Sequence, residues 1–171
     1  ETGTISTMPS EYPPGTIVWR NPQGAIHRVY GPAVVSPTSE KWFHDGMLHR
    51  VGGPAVISET RQEWWYMGKI HRRDGPAIIT DSCRQWFLND HLHRRDGPAV
   101  ESDDRKEWWL NGVQHRMDGP AVISEHSKMW MVFGTLHRVD GPAVESEETR
   151  WYFHGELHRM DGPAHISGDE K

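Results

Sequence analysis

The pair His-Arg begins at His27, His49, His71, His93, His115, His137 and His158, and each pair is followed a few residues later by Gly-Pro-Ala. Five consecutive steps are 22 residues long and the last is 21. A fixed period between about 20 and 50 residues belongs to a stacked array, in which each unit buries its apolar surface only against its neighbours. An ordinary mixed fold keeps no such register, so residues 17–167 read as one domain of seven repeats. Residues 1–16, with Pro9, Pro13 and Pro14, are expected to form an irregular leader or cap, and 168–171 a polar tail. Glu1-Thr2-Gly3 lies outside the repeat and resembles the remnant of a cleaved, vector-encoded signal peptide.

One copy runs from Glu107 to Ser124 and contains Trp108-Trp109-Leu110-Asn111-Gly112-Val113-Gln114-His115-Arg116. Asn-Gly between two short aromatic and aliphatic segments predicts a hairpin with a type I′ turn, which needs positive φ at both loop positions. Glycine fills the second position in every copy except the fourth, where Asp90 stands, a residue that tolerates left-handed geometry. The first copy has one extra residue between Trp19 and Gly24, which predicts a bulge or a longer turn. With a two-residue loop, Trp108 falls opposite His115 and Trp109 opposite Gln114. A structural ladder follows in which Trp42, Trp64, Trp86, Trp108, Trp130 and Trp151 share a face with His49, His71, His93, His115, His137 and His158, each pair a cross-strand contact. Proline then interrupts the pairing, and the β-branched stretch after it is extended. No helical periodicity appears. The expected fold is all-β, a repeat array of antiparallel β-hairpins forming an elongated, twisted single-layer sheet.

Composition narrows the function classes. A formal net charge of −5 with both signs interspersed provides no basic stripe for a phosphate backbone, which argues against nucleic acid. One cysteine, Cys83, excludes an intrachain disulfide, and no run approaches the roughly 18 apolar residues of a membrane span. The compartment stays open between intracellular and secreted. No nucleophile elbow, Cys-His pair, phosphate loop or zinc-protease motif is present, so no catalytic residue is assigned and the chain is expected not to be an enzyme.

The pattern Trp-aromatic-x-x-Gly-x-Leu-His-Arg-x-Asp-Gly-Pro-Ala, over residues 19 to about 166, resembles a variant of the membrane occupation and recognition nexus (MORN) repeat. That family begins each unit with an aromatic-rich strand and turns at glycine, but it carries glycines in the second strand where this chain has His-Arg and Gly-Pro-Ala. The resemblance implies a scaffold that binds proteins, dimerises or contacts lipid headgroups, and it fits a viral or phage effector engaging a host protein.

Seven matched histidines invite a metal. Equivalent residues two strands apart lie about 10 Å from each other, whereas zinc needs nitrogens about 2 Å from the ion. Successive ladder histidines therefore share no metal, and no metal or cofactor is expected. Each histidine is instead expected to pack on tryptophan and bond a neighbouring backbone through one nitrogen. The alternative is a His-ladder metal- or pH-responsive protein. Arg and Asp at His+1 and His+3, as in Arg116 and Asp118, read as an ion-pair ladder with Asp also holding the turn.

Constant positions are explained by building the repeat, so recognition is sought where copies differ. The candidate interface is Trp65, Tyr66, Met67, Trp109, Met131, Phe133 and Phe153, with Trp65, Trp109 and Met131 on the reverse face, large aromatics and methionines of the kind that anchor protein interfaces. The leading expectation is a non-enzymatic scaffold for a protein partner of unknown identity, with a homodimer mate as one form of it. Lipid-headgroup binding is the alternative that the resemblance adds. The acidic balance opposes a membrane surface.

Overall fold

The computed structural model describes residues 4–6 and 12–168, so Glu1-Thr2-Gly3 and the last three residues of the polar tail lie outside the described residues. Its contacts divide the chain into two units, residues 1–90 and 91–171. Both are all-β arrays of antiparallel hairpins, and no helix occurs among the described residues.

The third copy illustrates the first unit. Ile78–Thr80, the strand after proline, lies between Arg61–Glu63, which leads into its own tryptophan, and Cys83–Gln85, which leads into the next. Ile78 faces Glu63 on one side and Gln85 on the other. The second unit repeats the scheme, with Val122–Ser124 between Arg105–Glu107 and Lys128–Met129. Each copy thus gives two strands to the main sheet. Between them the chain continues past Trp64 as a separate tip hairpin, Trp65–Tyr66 against Lys69–Ile70.

The tips turn as their sequence requires. Met67 and Gly68 have φ 48° and 77°, Asn111 and Gly112 51° and 79°, and Phe133 and Gly134 47° and 78°. Both positions are positive, the type I′ signature. Asp90, standing in for glycine, takes φ 68°. The extra residue of the first copy gives a longer loop, closed by an Asn21 N–H donating to the Ala25 carbonyl at 2.9 Å and a single bridge between Arg20 and Ile26. Trp109 pairs with Gln114, as the loop length demands. Successive tips are stitched together by backbone bonds from Gly68 N–H to Leu48 C=O (2.9 Å) and from Gly134 N–H to Gln114 C=O (2.8 Å).

The core is narrow and centres on the alanine of Gly-Pro-Ala. Ala33, Ala55 and Ala77 in the first unit, and Ala99, Ala121 and Ala143 in the second, are 0% exposed. Proline has no N–H, so pairing resumes at the alanine. Ala77 N–H donates to Gln85 C=O and its own carbonyl accepts from Trp64 N–H, both at 2.8 Å. With partners on both sides, this position has room for a methyl group and little more. From the leader, Thr4–Ser6 pairs antiparallel with Ile17–Arg20 and so caps the first unit's sheet.

Candidate functional site

The strand geometry brings tryptophan and histidine backbones together as expected: His115 N–H donates to Trp108 C=O at 3.0 Å, and His71 to Trp64 likewise. The side chains pair differently, which corrects the expected Trp-His contact. The tryptophan face is covered by the arginine one residue further on. Arg28, Arg50 and Arg72 place their guanidinium carbons 4.0, 3.8 and 4.0 Å from the rings of Trp19, Trp42 and Trp64. Arg116, Arg138 and Arg159 do the same over Trp108, Trp130 and Trp151 at 3.9, 3.9 and 4.1 Å. The chain leaves the ladder after the histidine, and this lets the planar cation fold back onto the indole.

The same arginine explains the rest of the motif. Arg138 donates through Nη1 to the Pro142 carbonyl at 3.1 Å and through Nε to Asp140 at 3.1 Å. Its guanidinium also lies against the glycine of Gly-Pro-Ala: a Cβ on Gly141 would stand 2.8 Å from Arg138 Cζ, and one on Gly97 2.9 Å from Arg94 Cζ. Glycine permits that close approach; a Cβ there would push the guanidinium aside. The hydrogen bond from arginine is the first cause holding Asp74, Asp96, Asp118, Asp140 and Asp161 below the usual carboxylate range.

Every ladder histidine before the last, His158, reaches forward instead. Its Nδ1 accepts the backbone N–H of the first turn residue in the following tip: Met67 to His49 and Phe133 to His115 at 3.1 Å, with Asn111 to His93 and His154 to His137 also at 3.1 Å. The expected nitrogen-to-backbone bond is therefore present, and it fastens one tip to the previous copy. An Nδ1 that accepts must carry no proton.

The histidine rings alternate with the side chain two residues after each tryptophan. Tyr66 sits between His49 and His71, with ring centroids 5.0 and 6.2 Å apart, and Phe153 between His137 and His158 at 5.0 and 6.2 Å. Phe133 stacks on His115 at 4.3 Å. Of the seven candidate residues, Tyr66 and Met67 in the first unit and Phe133 and Phe153 in the second are exposed beside the histidine column. Trp65, Trp109 and Met131 alternate to the reverse face and are half-buried. There Trp65 Nε1 donates to Glu63 at 2.6 Å and Trp109 Nε1 to Glu107 at 2.7 Å. The seven do not form one patch.

Grooves run along the histidine face where one Arg-x-Asp loop faces the next. In the second unit, a groove of about 570 Å³ has Trp151, Phe153 and His158 along its floor and Val139 and Met160 on its rims. Another there has Trp108, Leu110 and His115 beneath Met117. The rim residues are the most exposed apolar side chains of that unit: Met117 at 77%, Val139 at 81% and Met160 at 95%. The position between arginine and aspartate is not among the candidate residues. In the irregular stretch after the histidine the arginine folds onto tryptophan, while this residue and the aspartate, 85% exposed at Asp140, both face solvent. No family model, curated protein or solved structure matches the chain.

Proposed function

We propose that the chain is a non-enzymatic protein-binding scaffold, a MORN-like variant, that docks a protein partner on the histidine face of its second unit through Phe133, Phe153 and the rims Met117, Val139 and Met160. The observation that carries this reading is Phe133. It is a bulky apolar residue in the left-handed region, φ 47°, with 71% of its surface exposed. That conformation costs roughly 1–2 kcal/mol for a side chain of this kind, and Asn89 and Asn111 fill the same position at little cost. Strain at an exposed residue is retained where it serves a contact. The repeat supplies the spacing: equivalent points two strands apart recur about every 10 Å. Side chains at i and i+3 of a polyproline II segment, or at i and i+7 of a helix, match that pitch on one side.

The test is a selection from a displayed random-peptide library on the full chain, run in parallel on a Met117→Asp/Phe133→Asp/Met160→Asp variant, with light scattering of both proteins. The wild type is expected to enrich peptides with apolar residues at that pitch, and the variant to lose them. Equal enrichment by both proteins would remove this face. A mass that doubles with concentration in the wild type alone would name a second copy of the chain as the partner.

A further inference from the structure

The constant histidines are too far apart to share an ion, but one tip brings other ligands to one of them. The second copy turns through His44-Asp45, where the other tips carry pairs such as Tyr66-Met67, Leu110-Asn111 and Val132-Phe133. His44 occupies the column that interleaves with the histidines, and its ring centroid lies 4.9 Å from that of His27. Asp45 reaches both rings: Oδ1 is 3.0 Å from His27 Nδ1, and Oδ2 is 3.5 Å from His44 Nδ1. One ligand atom from each of the three residues lies within 4.8 Å of the others. Two atoms bound to one ion at about 2.1 Å stand about 3.0–3.4 Å apart at right or tetrahedral angles; the His27–Asp45 separation of 3.0 Å matches such an edge and the His44–Asp45 separation of 3.5 Å lies just above it.

A second feature is electrostatic. His27 Nδ1 accepts the Asp45 backbone N–H at 3.0 Å, so its in-plane lone pair points at the tip and the nitrogen bears no proton. A carboxylate oxygen 3.0 Å from such a nitrogen sets two electron-rich atoms against each other. At the equivalent place in the fourth copy, Asn89 Oδ1 is 2.8 Å from His71 Nδ1, and an amide there can turn its NH2 toward the ring. Asp45 has no hydrogen to turn. Asn21 Nδ2 donates to Asp45 Oδ1 at 2.9 Å, which orients the carboxylate without shielding the nitrogen. A cation that takes the Nδ1 lone pair in place of the Asp45 N–H would remove the conflict.

We infer that His27, His44 and Asp45 form a binding site for a divalent transition-metal ion. Two imidazoles and one carboxylate suit zinc, copper(II), nickel or cobalt; calcium and magnesium prefer all-oxygen sites. His44 and Asp45 are exposed, so at least one coordination position stays open to water, or to a ligand from a docked molecule.

The experiment is calorimetric titration of the full chain with zinc chloride at neutral pH, with calcium chloride as the oxygen-seeking probe. The variants are His44→Ala, Asp45→Asn and, as a control at an exposed histidine elsewhere, His126→Ala. Asn89 and Asn111 adopt the same turn geometry as Asp45, so Asp45→Asn keeps the tip. One zinc per chain is expected, with affinity at least tenfold weaker in His44→Ala and in Asp45→Asn, unchanged in His126→Ala, and no saturable calcium binding. Absence of saturable zinc binding, or equal affinity in His44→Ala and the wild type, would overturn the site. So would an equal loss in His126→Ala, which would mark zinc as a surface-histidine effect.

Discussion

If the repeat is held by a sandwiched guanidinium and not by a surface ion pair, substitutions around Arg138 must rank in a particular order. The Arg138 side chain is only 20% exposed, its carbon lies 3.9 Å from the Trp130 centroid, and it also donates to Pro142 C=O at 3.1 Å and to Glu145 at 2.7 Å. A largely desolvated cation–π contact is worth about 1–2 kcal/mol. A hydrogen bond from a charged donor to a carbonyl adds about 1.5 kcal/mol, and the packed aliphatic stem about 1 kcal/mol. These contributions share one side chain and do not fully add, so Arg138→Ala is expected to cost about 2–4 kcal/mol. Arg138→Lys keeps the charge but loses the plane and the fork, and should cost about half as much. Gly141→Ala drives a methyl into the guanidinium and should behave like the lysine variant. Asp140→Asn should be nearly silent, because Asp140 is 85% exposed and its pairing is screened by water and salt. Urea unfolding followed by tryptophan fluorescence gives the ranking, and amide exchange at Trp130 and Ala143 localises it, since repeat arrays open in parts. An Asp140→Asn variant as unstable as Arg138→Lys, or a neutral Gly141→Ala, would refute the sandwich.

Two further outcomes follow from the framework. Burial, followed by the nearby His44 charge, holds His49 below its ordinary value of 6.5. Its folded-state pKa is thus lower than its unfolded one, so its contribution to stability is full above the unfolded value and is lost as pH falls through the folded one. The His49 ring should titrate below 6.5 by NMR, and the unfolding midpoint should drop between about pH 7 and about pH 5; a flat profile with an ordinary midpoint would contradict this. Ala121→Leu, at a position that is 0% exposed, should destabilise by about 1–3 kcal/mol through overpacking, read by the same urea titration, with no change refuting the alanine core.

The period, the hairpin, the type I′ turn and the pairing of Trp109 with Gln114 were all legible in the sequence, because each depends on local chemistry and residue count. The partner of the tryptophan was not. Counting across the loop places His115 beside Trp108, and the backbones do meet. Strand register says nothing about a side chain that arrives from the irregular stretch after the ladder, which is where the arginine comes from. The glycine of Gly-Pro-Ala carried the missing clue: three residues after an arginine, its lack of a side chain admits a flat cation. The division of the candidate interface was legible as well. Trp65 and Tyr66 are adjacent in sequence and both vary between copies, and strand alternation puts them on opposite faces.

Once arginine is assigned to tryptophan and histidine Nδ1 to the next tip, the constant arginine and the histidine Nδ1 of the motif each have an internal partner wherever a further copy follows. Tryptophan, histidine, arginine, aspartate, glycine and alanine make one device that closes a copy and fastens it to its neighbour. Its regularity therefore carries no specificity, since a ligand that read only those residues would bind every copy alike. Distinct recognition has to come from the outward columns, which differ by copy. His+2 runs Val29, Val51, Arg73, Arg95, Met117, Val139 and Met160, and the column after tryptophan runs from His44 and Tyr66 to Val132 and Phe153. The first copies of those columns place imidazole and carboxylate together at His44 and Asp45, and the last place methionine and phenylalanine around open grooves. Chemically different outward columns in the two units permit two independent contacts on one chain. Loss of zinc in His44→Ala should then leave the peptide selection of the second unit unchanged, and loss of both together would show that the two sites depend on a common change in the frame.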